Sequence, residues 1–173
     1  MTMKQLRIKY LVLALAQMVL WNFCNFTPLL VLTFMPVMVL FLPVRRSTPA
    51  AMVTAFVLGF AVDFLTGTPL GLSSIALVPV ALVRRPLMSA VFGSELLERG
   101  EEMDFRRYGF GKMAFAALLA TALFLVIFII GDSAGTVPAG VSVAKGFISL
   151  LVDWGISLPI ANLLCPDPNS KWK

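Results

Sequence analysis

Asp63 is the residue whose setting first suggests chemistry. It lies in A-F-V-L-G-F-A-V-D-F-L-T-G-T-P-L-G-L, residues 55 to 72, where Ala55, Gly59, Asp63, Gly67 and Gly71 recur every fourth residue. On one helix such a set forms a stripe of small residues interrupted by one carboxylate. Thr66-Gly67-Thr68-Pro69 is turn chemistry, so the stripe must divide. The expectation is a helix carrying Ala55, Gly59 and Asp63, then a tight turn through Gly67, Pro69 and Gly71, then a second apolar segment. An acid in hydrocarbon-compatible sequence is costly and marks a functional-site candidate. Asp153, deep in a later apolar run, is a second candidate, and Lys145 lies eight residues before it on roughly the same helix face. An Asp63–Lys145 contact would lower the cost of burying either charge. Otherwise these acids hydrogen-bond backbone freed at Pro36, Pro69 or Pro159, or face a partner interface or ligand pocket.

Other chemistries find little material. The chain contains no histidine, so Ser73, Ser74 and Ser89 have no imidazole to activate them. Its two cysteines, Cys24 and Cys165, form neither a CxxC pair nor a metal-ligand spacing. No catalytic residue, cofactor site or metal site is assigned, and no enzyme activity is expected.

The elements that must position these residues are membrane helices. Of 173 residues, 59% are hydrophobic and 13% charged, with a mean hydropathy of +0.91. A soluble domain would carry about 25% charged residues. The sequence predicts an all-α, six-helix integral membrane protein forming one domain over residues 1–173. The spans fall at about 8–26, 29–44, 50–65, 70–83, 113–130 and 143–164. Pro36 predicts a kink in the second, and Ser47-Thr48-Pro49 a cap and first turn for the third. Residues 84–112 form a charged cytoplasmic loop, either a solvated connector or a docking surface. Ala116 with Ala120, and Ala117 with Thr121, permit close helix contact. Asp132 falls in the loop expected at 131–142.

The net charge of +5 comes from residues at segment ends, the pattern that orients membrane proteins and not a nucleic-acid footprint. With both termini in the cytoplasm, Lys145 alone of the 14 basic residues sits at an external end. That orientation puts Asp63 and its turn near the outer face. It also puts Cys24 and Cys165 on opposite sides of the membrane.

The run G-F-A-V-D-F-L-T-G-T-P-L-G-L-S-S-I-A-L, residues 59 to 77, resembles the signature of the bacterial rod shape-determining protein MreD family. Length, six-span hydropathy and the basic loop agree with that resemblance over nearly the whole chain. It implies a non-catalytic inner-membrane scaffold or regulator of cell elongation and peptidoglycan synthesis. The implied partner is MreC, and through MreC also penicillin-binding protein 2, RodA and MreB. The implied fold is similar to the S components of energy-coupling-factor vitamin transporters. Gly59, Asp63, Gly67, Pro69 and Gly71 match the motif and are the residues expected to serve helix packing or partner binding. Changing Gly59 or Gly67 to Leu is expected to weaken association with MreC. A different class of function is an S-component-like subunit that binds a small solute in a polar or aromatic pocket near the outer face.

Overall fold

The computed structural model describes residues 3–23, 30–43, 46–93, 109–133 and 138–164. Among these, all regular elements are helices: α1 (Met3–Phe23), α2 (Met35–Leu40), α3 (Thr48–Thr66), α4 (Leu72–Phe92), α5 (Phe110–Ser133) and α6 (Ala139–Leu164). Four of them, α3 to α6, are long and apolar enough to cross a membrane. The apolar part of α1, Ile8–Asn22, is shorter.

The short helix α2 is the hub. Its six residues, Met-Pro-Val-Met-Val-Leu, are all buried, and each of the other five helices touches it. The second expected span, 29–44, is therefore corrected. Residues 30–34 are non-helical, and α2 is about 9 Å long, far short of a bilayer core. Pro36 does not kink a helix. It sits in the first turn of α2, where its missing N–H costs no intrahelical bond.

Around the hub stand two antiparallel hairpins, α3–α4 and α5–α6. They pack on each other through α4 and α5, and at one end of that seam Leu72 of α4 lies against Gly131 of α5. Ala116, Ala117, Ala120 and Thr121 of α5 are fully or almost fully buried, as their small-residue spacing predicts. Outward, the helices present large apolar side chains such as Phe56, Phe64, Phe115, Ile130 and Phe147. A surface of this kind suits lipid and not water.

Boundaries differ from the hydropathy reading where local chemistry overrides it. Ser47 is the extended residue before α3 and Pro49 lies in its first turn, although the Ser47 side chain makes no capping bond. Helix α4 does not stop at Val83. It continues through Arg84, Arg85 and Pro86 to Phe92 and holds Pro79 and Pro86 within it. Packing on neighbouring helices keeps such prolines helical. Helix α5 includes Asp132, which had been expected in a loop. Cys24, Cys165 and residues 94–108 of the expected cytoplasmic loop lie outside the described residues.

Candidate functional site

Two polar constructions occupy the interior. The first is built on the motif stretch. Helix α3 carries Ala51, Ala55, Gly59 and Asp63 along one buried face, directed at α4. Gly59 is where the two backbones come closest. A Cβ there would stand 2.6 Å from Ser74 N and 2.7 Å from Ser74 Cα. The Ser74 hydroxyl completes the seam by donating to Phe56 O at 3.0 Å.

Helix α3 ends at Gly67 (φ 70°), and the turn reaches α4 through Gly71 (φ 91°), both in the left-handed region where a side chain would be strained. The carboxylate of Asp63, with 0% exposure, faces this turn. It accepts from Thr68 Oγ1 at 3.1 Å, from Gly71 N at 3.0 Å and from Ser73 N at 3.0 Å. The last two are backbone donors at the start of α4, which have no intrahelical partner. Asp63 is thus an N-terminal cap delivered from the preceding helix, and its negative charge meets the positive end of the α4 dipole. Gly59, Asp63, Gly67, Pro69 and Gly71 all belong to this one corner.

Lys145 is not its partner. The Lys145 ammonium lies 2.7 Å from Asp132 Oδ2, joining the adjacent ends of α5 and α6. The expected Asp63–Lys145 contact is corrected for a local reason. The amides of α4 already satisfy Asp63, and Asp132 on the neighbouring helix end is the nearer anion for Lys145.

The second construction surrounds residues 30–34. An extended backbone buried in a bundle must find hydrogen-bond partners outside itself. Here they are distributed between two helices. Toward α6, Val31 N donates to Ser149 Oγ at 2.9 Å and Thr33 N to Asp153 Oδ1 at 2.8 Å. Toward α1, Phe34 N donates to Gln17 Oε1 at 3.0 Å, while Leu32 O accepts from Gln17 Nε2 at 3.0 Å and also from Trp21 Nε1. Trp21 stacks edge-on against Phe128 of α5, which fixes its ring. Asp153 therefore holds backbone at the entry to α2.

Carbonyls at the far end of α2 are satisfied in the same manner. Arg84, 2% exposed, donates from Nε to Leu40 O at 2.8 Å and from its terminal nitrogen to Leu42 O. Tyr10 Oη donates to Phe41 O at 2.8 Å. Arg84 was expected at a cytoplasmic loop. It is instead a buried clamp, while the next residue, Arg85, is exposed.

Gln17, Trp21, Ser149 and Arg84 were not among the site residues expected from sequence. A glutamine inside an apolar helix, and polar residues at 149, 153 and 157 spaced by four on another, are the signals that would have found two of them, Gln17 and Ser149. Two shallow grooves lie elsewhere on the outer surface. One, of about 630 Å³, runs between α4 and α5 past Val83, Leu87, Phe115 and Lys112. The other, of about 610 Å³, runs between α5 and α6 past Val126, Ile130, Val143 and Phe147. Asp63 and Asp153 line neither groove.

Comparison with protein-family models, with curated proteins and with solved structures finds no match to this chain.

Proposed function

We propose that the chain is a non-catalytic scaffold of a bacterial inner membrane, acting in cell elongation as an MreD-like partner of MreC. In this reading both termini are in the cytoplasm, and the second of six crossings is made by the non-helical 30–34 stretch together with α2. The observation that carries it is the use made of the motif. The carboxylate of Asp63 is enclosed and accepts three hydrogen bonds within its own hairpin, so the stretch that resembles MreD builds a rigid corner. A scaffold needs such a corner to hold an apolar outer surface in a fixed shape for a partner's membrane helix. Partners further along the assembly, penicillin-binding protein 2, RodA and MreB, would be reached through MreC.

The test is recovery of the full chain from native membranes under mild detergent, with mass spectrometry of co-purifying proteins and small molecules. Stoichiometric MreC supports the scaffold. A retained vitamin-like solute without MreC overturns it in favour of an S-component-like carrier. Substituting Gly59 does not serve this test, because the Ser74 backbone occupies the space any side chain would need.

A further inference from the structure

Two parts of the described interior hold side-chain oxygens without partners: Ser73 Oγ stands alone at the α3–α4 corner, and three more lie elsewhere. Among the described residues, Asp153 Oδ2, Ser157 Oγ and Thr121 Oγ1 are buried side-chain oxygens that make no hydrogen bond, and all three residues are 0% exposed. Helix register places them at one level of the bundle. Asp153 and Ser157 are four residues apart on α6 and so share a face one turn apart. The other carboxylate oxygen of Asp153 is fixed to Thr33 N, which aims this face at the 30–34 stretch. Thr121 lies three residues before Phe124 and seven before Phe128, on the α5 face that Phe128 turns toward Trp21 and the same stretch. Register across the α5–α6 hairpin agrees. Gly146 packs on Ile129 and Lys145 pairs with Asp132, which brings Asp153 and Ser157 to the level of Thr121.

Among the described residues, no basic side chain pairs with Asp153. Lys145 is taken by Asp132, Arg84 by the carbonyls after α2 and Lys9 by Leu163 O. Arg46 donates to Thr54 and Arg85 to Arg46 O, while Lys112 is exposed in the first turn of α5. A carboxylate enclosed in an apolar bundle with one backbone donor is far from compensated.

We propose that Asp153 Oδ2, Ser157 Oγ and Thr121 Oγ1 form a binding site for a small monovalent cation of the sodium type, seated beside the non-helical 30–34 stretch. Three oxygen ligands of this kind suit a hard cation. One positive charge neutralises the single carboxylate, whereas a divalent ion would leave a net charge buried. Non-helical backbone buried among membrane helices is also where secondary transporters place such ions. The bound ion would tie α5 and α6 to the entry of α2 and so brace the hub.

The probe is sodium chloride against choline chloride at equal ionic strength, read by thermal unfolding of the purified full chain in detergent. Replacing choline by ~150 mM sodium is expected to raise the melting temperature by about 5 °C. Asp153→Asn keeps an oxygen for Thr33 N and is expected to fold and to lose the sodium response. Ser157→Ala should retain a reduced response, and it serves as a second readout if Asp153→Asn does not fold. Equal stability of the wild-type protein in sodium, potassium and choline overturns the proposal and points to a neutral, protonated Asp153. A sodium response of full size in Asp153→Asn overturns it as well.

Discussion

Adding one methyl group at Gly59 and at Gly155 should have opposite consequences. Both glycines lie inside apolar helices, but a Cβ at Gly59 would press into the Ser74 backbone, whereas one at Gly155 meets nothing within 4 Å. Backbone cannot rotate away as a side chain can. Gly59→Ala should therefore cost about 3 kcal/mol as α3 and α4 separate. Gly155→Ala should be neutral or stabilise by about 0.5–1 kcal/mol. Denaturant titration in detergent micelles measures both. Asp63 allows a similarly graded test. An asparagine can still offer an oxygen to Gly71 N and Ser73 N, and its amide can face Thr68 Oγ1. Asp63→Asn should then cost about 1 kcal/mol, and Asp63→Ala, which strands two amides, about 3 kcal/mol. Equal losses in the two variants would show that charge, and not the cap geometry, is what the corner requires.

At the scale of elements, α2 and the stretch before it could not stand without the helices around them. No six-residue helix is stable alone, and residues 30–34 make their hydrogen bonds to side chains of α1 and α6. Arg84 secures the other end, so Arg84→Ala should leave two buried carbonyls without their donor and cost about 3 kcal/mol. Arg84→Lys should recover little, because one ammonium cannot reproduce the spread of Nε and a terminal nitrogen. Arg85→Ala, one residue further on and exposed, should change stability by less than about 0.5 kcal/mol. Protease resistance of the three variants in micelles ranks them.

These elements also mark how far sequence reasoning reached. The α3–α4 corner was legible because its signals are local: spacing by four, turn residues and an acid within the same eighteen residues. The hub was not, since residues 29–44 read as a single apolar span kinked at Pro36, and what holds the non-helical stretch there is polar side chains distant in sequence. Arg84 misled for a related reason. A basic pair after an apolar run ordinarily marks a membrane boundary, and sequence cannot tell which member of the pair turns inward.

For the molecule as a whole, the two ends of the bundle differ in charge in a way that fixes an expected orientation. Lys9, Arg46, Arg84 and Arg85 gather at the end where α2 terminates and α6 ends, through contacts to Leu163 O, Thr54, Leu40 O and Arg46 O. At the opposite end, Lys145 is neutralised by Asp132, and Asp63 is enclosed by the start of α4. Positive charge is retained on the cytoplasmic side of membrane proteins, so the Arg46 end should face the cytoplasm. Leu70, in the exposed α3–α4 turn, and Arg46 are suitable reporters at the two ends because both are exposed. With Cys24 and Cys165 replaced by serine, a membrane-impermeant maleimide should label Leu70→Cys in cells whose outer barrier alone is opened. Arg46→Cys should react only after the membrane that holds the protein is permeabilised. Labelling in the reverse order would invert the molecule. It would carry the Asp63 corner to the cytoplasmic side and overturn the orientation that the distribution of basic residues predicts.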